Sequence, residues 1–152
     1  MMERFEYAVV TRAPRCLAWQ IFSDWRRWPR FSQGYGDIRW VKGSPWQAGS
    51  RLLIDFVHPI RATVDHVITV CSPPEFVAWI DHALGNSMEQ WVTFHDLGDG
   101  GTRIHTWAEM TGPARFVDGL DVHEVVRTFI QQWYEAFRAE CDQVAEQNSV
   151  CI

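Results

Sequence analysis

The chain has 152 residues, of which 47% are hydrophobic and 22% are charged, and its net charge is −5. This balance is typical of one globular domain with a sizeable core, so we expect a single domain over residues 1–152. The acidic charge and the lack of a basic stretch make nucleic acid a poor partner. No apolar run is long enough to span a membrane, and the first residues lack the apolar region of a signal peptide. We therefore expect a cytoplasmic protein.

The four cysteines are scattered along the chain, at Cys16, Cys71, Cys141 and Cys151, and they form no CxxC pair. Such spacing is typical of reduced thiols and predicts neither a disulfide framework nor a zinc site. Motifs for dinucleotides, phosphates, zinc proteases and serine hydrolases are absent from the sequence. We therefore predict no cofactor and no metal, and we assign no catalytic residue.

The first predicted element is a strand, because residues 5–10 are rich in Phe, Tyr and Val. Pro14 suits the first turn of a helix, which we expect to run to Asp24. A second short helix or turn holds Trp28 and Pro29. Further strands follow, separated by turns rich in Gly and Pro. We place them at 37–42, 50–57, 61–71, 75–83, 87–96 and 102–111.

The last predicted element is a long amphipathic helix over residues 121–147. Apolar residues recur there at intervals of three and four, and Asp121 followed by Glu124 fits a capping box. At 1.5 Å per residue the helix spans roughly 40 Å, enough to cross a small domain. The order of elements predicts an α+β fold, in which a curved antiparallel sheet wraps around the C-terminal helix.

Two groups of residues resemble motifs of a known superfamily. The first is Ala13-Pro14, Trp19, Asp24 and Trp28-Pro29-Arg30-Phe31, and the second is Gly49, Pro73-Pro74 and Gly100-Gly101-Thr102-Arg103. Together they resemble the START-like (SRPBCC, Bet v 1-like) superfamily, and its polyketide cyclase/dehydrase branch in particular, over essentially the whole chain. The resemblance implies a helix-grip fold with an apolar cavity between sheet and helix. It implies little about function, because the superfamily includes lipid carriers, hormone receptors and cyclases.

Strand alternation predicts which side chains face that cavity, since successive residues point to opposite faces of a sheet. The mostly apolar faces carry few polar residues, chiefly His66, His82, Gln90 and Thr106. The resemblance places Trp28 and Tyr35 near the cavity mouth, although Trp28 could simply pack the short helices on the sheet. The predicted cavity residues are Trp28, Tyr35, Trp40, Ile54, Phe56, Val64, His66, Ile68, Ile80, His82, Met88, Gln90, Val92, Thr106, Ala108, Phe129 and Trp133.

The two inward histidines allow three interpretations. Buried imidazoles need hydrogen-bond partners. His66 and His82 are therefore satisfied core or rim residues, contacts for a polar group of a ligand, or an acid and a base that act on it. On the opposite face, Trp79, Trp91 and Trp107 share one parity. As an exposed row they would form the self-association surface of a homodimer, or they would be a shielded aromatic row in a monomer. If the assumed assignment of strand faces is wrong, they line the cavity instead.

Three functions are compatible with these patterns. The first is non-catalytic binding of a hydrophobic small molecule, such as a lipid, a polyketide or an aromatic compound. The second is a polyketide cyclase, aromatase or dehydratase that uses cavity histidines. The predicted inner set holds no Arg, Lys, Asp or Glu, which favours binding, although Arg51 or Arg61 would enter if the register slipped. The third is a protein-interaction module with a collapsed cavity.

Overall fold

The computed structural model describes residues 2–113 and 115–147, which form a curved antiparallel sheet and a long helix. The sheet has seven strands in the order β1-β7-β6-β5-β4-β3-β2, and every neighbouring pair is antiparallel. The strands are β1 (Met2–Thr11), β2 (Tyr35–Lys42), β3 (Arg51–Phe56), β4 (Ala62–Ser72), β5 (Phe76–Ala83), β6 (Asn86–Asp96) and β7 (Thr102–Thr111). Strands β2 to β7 form a meander, and β1 joins the sheet beside β7.

Two short helices follow β1, as the sequence predicts. They are α1 (Arg15–Ser23), with Pro14 at its N-cap, and α2 (Trp28–Phe31), with Pro29 in its first turn. A small hairpin of β8 (Phe116–Val117) and β9 (Leu120–Asp121), which was not predicted, precedes the C-terminal helix α3 (Val122–Gln147).

The long helix lies across the concave face of the sheet. Its start is capped as predicted, because Oδ1 of Asp121 accepts hydrogen bonds from the backbone N–H groups of His123 (3.1 Å) and Glu124 (3.4 Å). Its apolar stripe is buried, including Ile130, Trp133, Tyr134, Phe137 and Cys141. The predicted helix-grip fold is therefore confirmed. No helix in the described part of the chain combines the length and hydropathy needed to cross a bilayer.

The orientation predicted for strand β5 is wrong. Residues directly opposite each other on neighbouring strands have their side chains on the same face of the sheet. Where β4 pairs with β5, His66 lies opposite Asp81 and Ile68 lies opposite Trp79. Trp79 and Asp81 therefore point inward, whereas Ile80 and His82 point to the outer face. Trp79 is only 6% exposed, while His82 is exposed and its Nδ1 lies 3.0 Å from Oγ of Ser87.

Two physical features explain this error. Both faces of β5 carry apolar side chains, so hydrophobic alternation does not tell them apart. In addition, β4 contains an irregularity between Ile68 and Val70 that breaks its alternation. Val70 is consequently 37% exposed, and Cys71 takes the inward position opposite Val77.

The expectation that all four cysteines are reduced is wrong for Cys16, which is disulfide-bonded. Scattered spacing alone does not reveal such a bond, because pairing depends on the fold. Cys71 and Cys141 are free thiols. Burial raises the pKa of the Cys71 thiol to about 11 and also raises that of Cys141. Cys151 lies outside the described residues.

Candidate functional site

A cavity of about 200 Å³ lies between the concave face of the sheet and α3. Its wall is predominantly apolar and is built from β3, β4, β5 and β6 on one side and α3 on the other. The structure brings together these predicted residues on its lining: Trp28, Tyr35, Ile54, Phe56, Val64, His66, Met88, Gln90, Phe129 and Trp133. Whether they contact a ligand stays a prediction.

The remaining predicted residues do not line the cavity. Trp40 packs against Trp25 and Trp46, with ring centroids 5.9 and 5.4 Å away. Ile68, Val92 and Ala108 point inward as expected but belong to the closed core, with at most 1% of their surface exposed. Ile80 and His82 face outward, as described above. Thr106 is buried behind Gln90.

One end of the cavity is closed by an aromatic cluster around Phe22. This ring is 2% exposed and lies within 6.4 Å, centroid to centroid, of seven other aromatic rings. They are Trp19, Trp28, Trp46, Trp79, Phe94, Trp133 and Phe137. Most of these rings meet Phe22 edge to face, an arrangement that packs densely. The cluster therefore forms the closed floor of the cavity.

The other end of the cavity meets solvent near the loop between β3 and β4. His58 and Pro59 line the cavity and are exposed, which places the opening beside them. Leu84, from the turn between β5 and β6, and Asn86 and Ser87, at the start of β6, also contribute to the lining. Residues from segments 57–60 and 83–87 are therefore part of the wall.

The most polar feature of the lining is a pair formed by His66 and Asp81. Nδ1 of His66 lies 2.7 Å from Oδ1 of Asp81, and the two side chains are 7% and 14% exposed. Oδ2 of Asp81 accepts a hydrogen bond from Nε1 of Trp79 at 3.1 Å, and the Trp79 ring lies against the imidazole with centroids 4.4 Å apart. Nε2 of His66, in contrast, has no hydrogen-bond partner among the described residues.

A second polar group lies deeper in the wall and is internally satisfied. Nε2 of Gln90 donates to Oγ1 of Thr106 at 2.9 Å and approaches Oη of Tyr134 at 3.4 Å, while the Thr106 hydroxyl donates to the backbone carbonyl of Trp91 at 2.8 Å. Burial raises the pKa of the Tyr134 and Tyr35 hydroxyls. Both tyrosines are neutral hydrogen-bonding groups at pH 7, as an exposed tyrosine also is.

The lining carries one carboxylate and no Arg or Lys among the described residues. The expectation that no carboxylate faces the cavity is thus wrong for Asp81. The two arginines that a register slip would have brought inside remain outside the lining. Arg51 forms a two-pronged hydrogen-bonded pair with Asp65 at 3.1 and 2.8 Å, and Arg61 is exposed.

Sequence reasoning missed several polar lining residues, among them Asp81 and Tyr134 beside the inward histidine. Asp81 follows Trp79 by two positions, so the correct parity for that tryptophan would have placed the carboxylate inside as well. Tyr134 lies four residues after Ile130 and three before Phe137, on the apolar stripe of α3. Helical periodicity was therefore a sufficient signal for Tyr134.

The outer face carries a pair of tryptophans and not the predicted row of three. Trp91 and Trp107 stack with centroids 6.1 Å apart, whereas Trp79 lines the cavity. Phe76 stacks on Trp91 at 5.9 Å, and the Arg4 guanidinium lies 4.5 Å from the centroid of Trp107. The pair is therefore partly covered by its own neighbours.

Fold and cavity together define the class of helix-grip proteins, and the sequence places the chain within it. Residues 2–142 match the family described as "polyketide cyclase / dehydrase and lipid transport". The chain belongs to this family. No curated protein sequence matches the chain.

Solved structures show the same fold at low sequence identity. The START superfamily protein from Mycobacterium smegmatis is 12% identical with a TM-score of 0.76, covering 93% of this chain and 98% of that one. The Zhui aromatase/cyclase from Streptomyces sp. R1128 is 15% identical with a TM-score of 0.74, covering 99% and 98%. Ara h 8.0201 is 16% identical with a TM-score of 0.73, covering 93% and 98%.

Proposed function

We propose that this protein binds a hydrophobic small molecule, such as a lipid, a polyketide or an aromatic compound, in the cavity between the sheet and α3, without changing it chemically. The observation that carries the proposal is the apolar cavity of about 200 Å³, closed by aromatic rings at one end. A concave, mostly apolar pocket with a few convergent polar groups is the usual form of a small-molecule site. The family description, which includes lipid transport, supports the same class of ligand.

Native mass spectrometry of the purified protein, before and after extraction with organic solvent, tests this proposal. We expect a bound small molecule that solvent removes, or uptake of a member of a panel of fatty alcohols, sterols and polycyclic aromatics. Binding should also raise the melting temperature, because a ligand that prefers the folded state stabilises it. A protein that is empty and takes up no member of the panel would contradict the proposal.

A matched pair of variants locates the binding site. Val64 lines the cavity, whereas Val67 on the same strand pairs with Ile80 on the outer face. Val64→Trp should fill part of the cavity and abolish uptake, and Val67→Trp should leave uptake unchanged. Equal uptake by both variants would place the ligand elsewhere.

A second candidate function is catalysis of the cyclase, aromatase or dehydratase type. The observation that favours it is the pair of His66 and Asp81, because an imidazole beside a carboxylate is a common arrangement for proton transfer. The pair lies on the cavity wall, where a bound ketone or enol could reach it. The Zhui aromatase/cyclase is similar only in fold and adds no residue-level support.

Hydrogen–deuterium exchange at the α-carbon of 1-tetralone, a hydrophobic ketone, tests this second candidate. Catalysis predicts faster exchange in the presence of the protein, lost in His66→Ala and retained in the exposed control His82→Ala. Binding of 1-tetralone without faster exchange would leave ligand binding as the function.

The third candidate is an interaction module, which requires a collapsed cavity. The described residues enclose an open cavity instead. The outer tryptophan pair remains the part of that hypothesis that can still be tested.

A further inference from the structure

The cavity wall contains a buried acceptor atom whose hydrogen-bonding capacity is unused. Nε2 of His66 has no hydrogen-bond partner among the described residues, whereas Nδ1 of the same ring lies 2.7 Å from Oδ1 of Asp81, and both residues line the cavity. Nε1 of Trp133 on the same lining is a donor and lies beside the hydroxyl of Tyr35. An unsatisfied polar atom inside a protein is unfavourable, because it has lost its water without gaining a replacement. Either a water molecule or a polar group of the ligand therefore completes this site.

The charge around these atoms restricts which ligand group fits. Asp81 is a carboxylate, and the lining holds no Arg or Lys among the described residues. A second carboxylate placed here would bring like charges together in a poorly solvated space, which is strongly unfavourable. The nearby hydroxyls of Tyr35 and Tyr134 are neutral at pH 7, and burial raises the pKa of both further. The wall thus offers no full positive charge apart from a protonated His66, which Asp81 already faces.

The unused atom also selects for a hydrogen-bond donor. The Nε2 of a neutral imidazole accepts a hydrogen bond when Nδ1 carries the proton. Nδ1 of His66 faces Asp81 at 2.7 Å, which favours that tautomer. A ligand hydroxyl can donate to Nε2 of His66, whereas an ether or an ionised carboxylate cannot.

We propose that His66 and Asp81 form a specificity site for the hydroxyl group of an uncharged hydrophobic ligand, and that this site discriminates against free carboxylic acids. The ligand class is thus a phenol, an enol or an alcohol on a lipid-like or ring-shaped body. The floor around Phe22 contacts the apolar body, and the polar pair on the wall orients the hydroxyl. This inference rests on the proposed binding function and makes it more specific.

Equilibrium dialysis at pH 7 with three ligands of the same ring system tests the inference. The ligands are 2-naphthol, 2-methoxynaphthalene and 2-naphthoate. We expect 2-naphthol to bind about tenfold more tightly than the methyl ether, in line with one buried hydrogen bond to the imidazole of His66. We expect 2-naphthoate to bind at least about tenfold more weakly than 2-naphthol, because of charge burial beside Asp81.

Two variants and one control assign the selectivity to the pair. Asp81→Asn should reduce the discrimination against 2-naphthoate, and His66→Leu should reduce the advantage of 2-naphthol over its ether. His82→Leu, on the outer face, should keep the wild-type ranking. The ranking by the wild-type protein is itself decisive, so a variant that does not fold leaves the inference testable.

The other possible results of the dialysis experiment contradict different parts of the proposal. Equal binding of 2-naphthol and its ether would show that water satisfies the pair, and tighter binding of 2-naphthoate would show that charge is not excluded. Both results would overturn the specificity site and leave the binding function intact. Failure of all three ligands to bind, together with an empty protein in native mass spectrometry, would overturn the binding function as well.

Discussion

Thr106 shows how much one buried side chain contributes behind the cavity wall. Its hydroxyl accepts a hydrogen bond from Gln90 and donates one to the carbonyl of Trp91, and it is 1% exposed. Thr106→Val keeps the shape but leaves the Gln90 amide with only the longer contact to Tyr134. We expect a loss of about 1–3 kcal/mol in the free energy of unfolding, measured in urea, because a buried polar group loses its partner.

Thr69→Val is the matched control for this change, because Thr69 is exposed on β4 and the substitution removes no buried group. It should alter the free energy of unfolding by no more than about 0.5 kcal/mol. Equal effects of the two substitutions would show that the hydrogen bonds of Thr106 contribute little.

At the scale of residues, the inward side chains were predictable only on strands with two unlike faces. On β6, Met88 and Gln90 point inward, between the outward Glu89 and Trp91, as alternation indicates. On β5 the two faces are equally apolar, and the inward carboxylate of Asp81 depends on His66 opposite it. The pairing of His66 with Asp81 depends on the register between β4 and β5, and the sequence of one strand does not determine that register.

At the scale of elements, the N-terminus of α3 depends on Asp121. Its carboxylate accepts hydrogen bonds from the N–H groups of His123 and Glu124, which have no partner within the helix. We expect Asp121→Ala to lower the melting temperature by about 2–4 °C, and Asp121→Asn, which retains a capping oxygen, to lower it less. Circular dichroism melts of the two variants measure this difference. An equal decrease would mean that the ion pair with Arg115, not the cap, is responsible.

The other half of α3 is attached to the end of β1 through Asp142. Its Oδ1 accepts hydrogen bonds from the Thr11 hydroxyl (2.6 Å) and the Arg12 backbone N–H (2.9 Å), and Oδ2 accepts one from Arg138 (3.1 Å). Burial raises the pKa of the Asp142 carboxyl, but these hydrogen bonds and the charges of Arg12 and Arg138 outweigh burial and lower it overall. The ionised carboxylate therefore stabilises the fold at neutral pH.

A pH series tests this attachment. A carboxyl whose pKa is lowered by folding stabilises the protein above its unfolded pKa of about 4, and this contribution is lost as the pH falls through the folded pKa. Asp142→Asn should reduce the free energy of unfolding by about 1–2 kcal/mol at pH 7, and the difference from wild type should shrink below about pH 4. Asp37→Asn, at an exposed carboxylate, is the control. A difference that stays constant down to pH 2 would contradict the assignment.

The order and type of the long elements could be predicted from the sequence, because each has a clear period and its boundaries carry Gly, Pro or a capping residue. The β8–β9 hairpin could not be predicted. Each of its strands has two residues, Phe116–Val117 and Leu120–Asp121, too few to show alternation. The irregularity in β4 was also invisible, because the β4 sequence alone does not show which residue is left unpaired.

At the scale of the whole molecule, the predicted homodimer now depends on two tryptophans. Trp79 faces the cavity, and Phe76 and Arg4 partly cover Trp91 and Trp107. We expect light scattering after gel filtration to give the mass of one chain, 17.7 kDa, at all concentrations tested. A mass of two chains that Trp107→Glu returns to one would show instead that this face associates.

The pairing of β1 with β7 has a consequence for how the chain folds as it is made. Thr11 is paired with Thr102, so the first strand has no partner until most of the chain has been synthesised. At about 5–20 residues per second, the delay is on the order of 5–20 s. During that time β1 is an unpaired strand edge, which chaperones or other chains can bind. Closing so long a loop also slows the pairing of β1 with β7, because the loop loses conformational entropy before the hydrogen bonds between the strands can offset that loss. The cavity is completed later still, because its α3 wall follows β7 in the chain.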